Sequence, residues 1–150
     1  MAPKTLAQIA DIMAEIDFCH LVTHTEGGSV ASRPMSNNSD VDYDGDTYFF
    51  CLDSTRMVSD IEKDPRVGLT FAGTGGVMGL VGKPGRMIAV QGRAQAVRDE
   101  AAFEAHWNPD LERWFREGTD TPGLVMLHVR AERIAWWDGE ENGEHVVAHV

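Results

Sequence analysis

The chain is short of cysteine and of positive charge, and no apolar run in it is long. Its two cysteines, Cys19 and Cys51, lie in apolar, strand-like stretches, where they read as small core residues and not as a bridge. Lys and Arg number 13 against 24 Asp and Glu, for a net charge of −11. Such a balance argues against nucleic acid, whose phosphate backbone is bound mainly by Lys and Arg, and equally against an anionic membrane surface. It leaves room for a local basic pocket. No stretch is long enough to span a bilayer and the first residues lack a signal-peptide h-region, so the expected compartment is the cytoplasm.

Motifs that carry chemistry are also scarce. No Ser/His/Asp or Cys/His arrangement follows from spacing. His20 and His24 would chelate a metal on a helix, but in a strand that spacing sets them roughly 13 Å apart, so two polar strand positions are expected. Asp40, Asp42, Asp44 and Gly45 match the first half of a calcium loop. The position for its bidentate Glu is Cys51, however, and the flanks read as strands. An acidic turn on Asp44-Gly45 is the expectation. The Asn37-Asn38-Ser39 sequon carries little weight without secretion. The glycine-rich stretch from Gly73 to Gly85 fails the phosphate-loop pattern, because Pro84 follows Gly82-Lys83 and Val77 replaces the earlier glycine. Met78 likewise stands where a dinucleotide fingerprint needs its last glycine. A loop between strands is expected there.

What is present is the make-up of one globular domain: 150 residues, 43% hydrophobic and 25% charged, enough to bury a core. The stretch from Thr47 to Asp64 organises it. Thr47 to Leu52 is apolar and aromatic, follows an Asp-Gly turn and reads as a buried strand. Met57, Val58 and Ile61 then fall at helical spacing, with Ser54 placed as N-cap. A strand running into a helix start leaves backbone N–H groups free, and with the helix dipole these favour an anion. Ser54 and Thr55 add hydroxyls, and Arg56 adds a cationic fork suited to phosphate.

Around that stretch, Thr5 to Ile16 reads as an amphipathic helix with a Thr5/Gln8 capping box. Phe18 to Thr23 and Ser29 to Ser36 read as a hairpin. Pro34 cannot donate to a ladder, so the second strand leaves the sheet there or lies on an edge. Arg33 is either a solvated surface charge or an anion ligand brought beside Ser54–Arg56. Arg66 to Ala72 reads as a buried strand and Arg86 to Val97 as a long one, with Gly92 as a bulge or close-approach point. Two short helices, Asp99 to Trp107 and Asp110 to Glu117, break at Asn108-Pro109. Leu124 to Asp138 returns to strand, and the tail from Gly139 reads as polar and weakly structured. Trp107 and Trp114 are candidates to close the core. The Trp136-Trp137 pair fits core, dimer interface or a ring-stacking platform. Strands at short spacings with few helices between them make a small, mainly β antiparallel barrel with flanking helices.

These motifs, in their order, resemble a known family. Arg33-Pro34-Met35, a Tyr-Phe-Phe strand, Ser54-Thr55-Arg56 before a helix ending in Asp64-Pro65-Arg66-Val67, Ile88 to Ala94, the Trp-Asn-Pro segment and Ala135 to Gly139 are similar to the pyridoxamine 5′-phosphate oxidase-like FMN-binding split barrels. The general stress protein branch is the nearest in pattern. The resemblance implies a homodimer with flavin at the subunit interface. It implies that Arg33, Ser54, Thr55 and Arg56 hold the FMN phosphate, that the backbone of Met35 and Ser36 with Phe49 and Phe50 lines the isoalloxazine ring, and that Pro34 belongs to the same cofactor site. Trp137 would approach from the other subunit. It departs from the true oxidases at Met87, where they carry glutamine, and at Gly143 and Val147, where they carry the two arginines of an Arg-x-His-x-Arg segment of which only the histidine, His145, is kept. Vitamin B6 oxidation is therefore not implied. A flavin-dependent oxidoreductase is the first expectation. The others are a non-catalytic flavin-binding stress protein and a barrel using F420 or haem.

Overall fold

Seven antiparallel strands carry the chain in the computed structural model, which describes residues 3–37, 43–73 and 85–148. Asp40 and Asp42 of the calcium-loop pattern, Asn38-Ser39 of the sequon and residues 74–84 of the glycine-rich connection lie outside the described residues. Helix α1 (Leu6–Ala14) starts at the expected capping box: Thr5 Oγ1 accepts from the Gln8 N–H at 3.2 Å while the Thr5 N–H donates to Gln8 Oε1 at 2.8 Å. There follow β1 (Phe18–His24), β2 (Val30–Ser36), β3 (Asp46–Leu52), α2 (Arg56–Lys63), β4 (Arg66–Ala72), β5 (Met87–Val97), α3 (Glu100–His106), β6 (Leu124–Asp138) and β7 (Glu141–Val146). The second short helix expected after Pro109 is a 3-10 turn, Pro109–Arg113, with a further one at Gly118–Asp120.

Strand order is β2-β1-β4-β5-β6-β3, with β7 pairing the far half of β6. Pro34 sits on β2, an edge strand, where its missing N–H costs no ladder bond. Along β1, β4 and β5 every second residue is buried. Cys19, Leu21, Leu69, Phe71, Ile88 and Val90 thus share one core with Ile9, Ile12 and Met13 of α1 and Met57, Val58 and Ile61 of α2. Both cysteines are free and buried, as expected. The ladder between β5 and β6 shifts register between Gln91 and Gly92. A Cβ on Gly92 would stand 2.3 Å from the Arg130 carbonyl oxygen, so only glycine admits that approach.

The tail is where the sequence reading needs correction. From Glu141 to Val146 it is a strand, set against Arg133–Asp138. Strand β6 is 15 residues long, and β3 covers only its first half. The second half would present bare N–H and C=O groups without β7. The Trp136-Trp137 pair divides, as neighbours on a strand must: Trp136 is core and Trp137 faces out.

A second, smaller cluster lies outside the main core. Phe50, Leu124 and Met126 on the outer face of β3 and β6 meet Phe103 of α3, with Trp107, Leu111 and Phe115 packed against them. Phe50 meets the Trp107 ring edge-on at 4.9 Å, and Trp107 lies 6.2 Å from Phe115. This cluster fixes the 107–115 segment beside β3.

Candidate functional site

The two edge strands of the sheet, β2 and β3, face one cavity of about 780 Å³. Edges that share a cavity mean the sheet curls almost to closure and stays open along one seam, which is a split barrel. Pro34, Met35 and Ser36 of β2 form one side of the seam and Tyr48 to Leu52 of β3 the other. Thr55 and Met57 at the start of α2 close one end, and Asn108, Asp110, Leu111, Arg113, Trp114 and Phe115 make the outer wall.

The β3–α2 turn is held from several sides. The Asp53 N–H donates to the Gly123 carbonyl at 2.7 Å and the Thr55 N–H to the Leu52 carbonyl at 3.0 Å. Arg98 bridges Asp53 at 2.5 Å and Glu62 at 3.2 Å, tying the turn to the end of the helix it starts. The N-cap is Thr55 and not Ser54, and its side chain takes no bond from the helix start. Apart from the Cys51 sulfur, a weak acceptor, Thr55 Oγ1 is a buried hydroxyl without a partner. Burial pushes the Cys51 thiol itself up to about 11, against the pull of the Thr55 hydroxyl.

Arg33 points inward. Its Nη1 donates to Thr23 Oγ1 at 2.8 Å and to the Leu21 carbonyl at 3.2 Å. Burial lowers its pKa from the ordinary value, while the charge of Asp60 on α2 works the other way. Asp60 is itself buried, 5% exposed, with Oδ2 unpartnered. Arg33 is therefore not a solvated surface charge; it belongs to a half-buried polar group between β1, β2 and α2. Tyr48, at the cavity wall, stacks on His106 at 3.6 Å and on His128 at 4.8 Å. Burial, with Asp46 and Asp44 nearby, raises its phenol pKa.

Of the residues singled out from the sequence, Pro34, Met35, Ser36, Phe49, Phe50 and Thr55 come together in this cavity. Arg33, Ser54, Arg56 and Trp137 are not part of its lining. Ser54 and Arg56 are exposed at the helix start. Trp137, 44% exposed, stands ten residues along β6 from Leu127, the partner of Phe49, or roughly 33 Å along the strand. Within one chain it belongs to another part of the surface. Met87 pairs with Trp137 on that outer face. Gly143 packs under Trp136, where a Cβ would meet the indole at 2.6 Å. An arginine at position 143 would displace a core ring.

The outer wall was missed by sequence reasoning, although a signal exists. Phe103, Trp107, Leu111 and Phe115 recur every fourth residue, an apolar stripe that runs on through the Asn108-Pro109 break. Trp114, one of two tryptophans expected to close the core, is instead 65% exposed at the cavity lip.

A family model described as pyridoxamine 5′-phosphate oxidase-like matches residues 4–149. The chain belongs to this family. Among solved structures, a Clostridium acetobutylicum protein related to general stress protein 26 of B. subtilis superposes with TM-score 0.77 at 19% identity, covering 95% of this chain and 94% of that one. General stress protein 26 from Bacillus anthracis gives 0.71 at 20% identity, with 93% and 98% covered. A haem-binding protein from Mycobacterium smegmatis gives 0.76 at 15% identity, covering 97% of this chain but only 59% of that one. At these identities the likeness is one of fold. No curated protein matches the chain. Among the described residues no helix is long and apolar enough to cross a membrane.

Proposed function

We propose that this member of the pyridoxamine 5′-phosphate oxidase-like family is an FMN-binding protein of the general stress protein type, acting as a homodimer and as a flavin-dependent oxidoreductase on a small molecule. The observation that carries the reading is the seam cavity itself. It is walled by Pro34, Met35, Phe49 and Phe50 and closed at the α2 start by Thr55. A flat isoalloxazine fits between apolar strand edges, and the buried Thr55 hydroxyl without a strong partner is the kind of group a phosphate oxygen satisfies. Thr55, the free N–H groups behind it, and Arg33 and Arg56 on either side would hold the phosphate. The flavin, when bound, supplies the redox chemistry. The chain's own residues position it and exclude water.

The dimer has support in the sheet register. Ala72 pairs with Met87 and Met87 with Trp137. Continuing the β1–β4 ladder by one residue sets Phe18 beside Ala72. Their neighbours Cys19, Phe71, Ile88 and Trp136 are core, so this row faces outward. Phe18, Met87 and Trp137 are 60%, 43% and 44% exposed, an apolar line that begins at the cavity mouth and ends at Trp137. A two-fold axis through its middle exchanges the ends. The partner's copy of this tryptophan then arrives at the cavity mouth, beside Phe18 and Ser36.

Among the described residues the cavity lining is mainly apolar and aromatic, Met35, Phe49, Phe50, Leu111 and Phe115 included, which supports a flat ring system as occupant. The deciding test is the visible spectrum of the purified protein, taken as isolated and after adding FMN. Yellow protein that releases FMN on acid treatment supports the proposal. Colourless protein with no affinity for FMN overturns it and moves attention to F420 and haem. Reduction by a nicotinamide donor followed by catalytic reoxidation separates an enzyme from a flavin-binding stress protein without turnover.

A further inference from the structure

The flavin reading uses the strand edges and the α2 end of the cavity and leaves its outer wall without a role. That wall has two unusual members. Trp114 is the most exposed of the large apolar side chains among the described residues, at 65%, although Trp107 and Phe115 beside it are packed into the second cluster. Single exposed apolar residues are common, but this one lines a cavity. Its neighbour Arg113 is unusual for a different reason. In this acidic protein seven of the ten arginines have a partner: Arg33 bonds Thr23, and Arg66, Arg86, Arg93, Arg98, Arg130 and Arg133 each reach a carboxylate. Arg56, Arg113 and Arg116 have none among the described residues, and of these three only Arg113 lines the cavity.

From this juxtaposition we infer that the wall formed by residues 108–115 is a subsite for a planar aromatic carboxylate, its ring against Trp114 and its carboxylate on Arg113. The inference rests on the flavin reading, which leaves this wall for the second molecule in the cavity. A guanidinium fork matches a carboxylate bidentately, and an indole face takes a flat ring by offset stacking. Leu111 and Phe115 continue the apolar surface behind it. Two acidic residues also line the cavity, Asp17 and Asp110. Asp110 stands one turn before Arg113 on the same 3-10 segment, which sets the two side chains on one side of it. Asp110 thereby selects against ligands with a second negative group.

The test is calorimetric titration of FMN-saturated protein with 2-naphthoate and with its uncharged analogue 2-naphthamide. Binding of naphthoate in preference to the amide is expected. Arg113→Gln should weaken naphthoate roughly three- to tenfold, the range for a partly exposed charge-assisted pair, and leave the amide unchanged. Asp110→Asn should strengthen naphthoate, because a like charge is removed, and Trp114→Ala should weaken both ligands. All three side chains are exposed, so the variants should fold. Equal binding of acid and amide, or no response to Arg113→Gln, overturns the subsite while the flavin reading stands. If Arg113→Gln weakens FMN itself, Arg113 holds the cofactor and the subsite is overturned. Failure of the wild-type protein to take up FMN removes the flavin reading and this inference with it.

Discussion

At Arg33 one side chain serves both the fold and the proposed phosphate. Its bonds to Thr23 and Leu21 and its nearness to buried Asp60 mean that Arg33→Ala has two separable effects. The first is lower stability without any ligand, by about 1–3 kcal/mol, because the buried Thr23 hydroxyl loses its donor and buried Asp60 loses a nearby positive charge. The second is weaker FMN binding, by roughly tenfold or more for a lost charge-assisted bond to phosphate. Riboflavin, which has no phosphate, should bind wild type and variant alike. Chemical denaturation reads the first effect and paired FMN and riboflavin titrations the second. The cysteines make a pH prediction. Burial raises Cys19 to about 12 and Cys51 to about 11 from 9.0. A raised thiol keeps its proton in the folded state and loses it sooner in the unfolded one. Stability is therefore level below about pH 9 and falls above it, by about 1.4 kcal/mol per pH unit for each thiol until its folded value is reached. Denaturation between pH 7 and 10.5 should show this slope, and Cys51→Ala should reduce it. Neither thiol should react with a disulfide reagent in the native protein.

At the scale of elements, Gly92 is the sharpest case. Its missing side chain lets β5 approach the Arg130 carbonyl at the register shift. Gly92→Ala forces the two longest strands apart and should cost about 1–3 kcal/mol or more, seen as a lower Tm with an unchanged far-ultraviolet spectrum. Gly92 was readable as a bulge because glycine inside an alternating strand has few other uses. The capping box of α1, the edge position of Pro34 and the strands β1 to β6 were readable for similar local reasons. Beyond them, local pattern fails. Glu141–Val146 has the composition of a solvated tail and is a strand because β6 is longer than β3. Ser54 and Thr55 are both good caps by type, and only the turn held by Arg98 decides for Thr55. The cavity's outer wall depends on the pairing of Phe50 with Trp107, a contact between residues 57 positions apart in the sequence, which no local period reveals.

For the molecule as a whole, the outward row from Phe18 to Trp137 is the feature on which the proposed dimer rests. Trp137→Arg places a charge at the end of the proposed interface, where it would meet the partner's cavity mouth. It should shift the protein from dimer to monomer in light scattering coupled to size exclusion and weaken FMN binding in the same sample. A variant that stays dimeric with full flavin affinity would show that this face has another use. The seam between β2 and β3 was legible only through resemblance to a family. From the residues alone an antiparallel barrel and an anion-friendly turn were in reach, and nothing in the local pattern says that the sheet stops short of closing.

The second cluster, set outside the barrel, has a consequence for how the protein opens and how its lineage can change. Among the described residues its buried members are only Phe50, Phe103, Leu124 and Met126, whereas the barrel is locked by continuous ladders. The segment from Glu100 to Asp120 should therefore exchange its amide hydrogens well before β4, β5 and β6, as a unit that unfolds alone. A wall that detaches independently of the barrel can also be rewritten independently of it. Substitutions there alter what the cavity accepts without touching the scaffold, so divergence in ligand choice can accumulate in some twenty residues while the remaining chain preserves the fold.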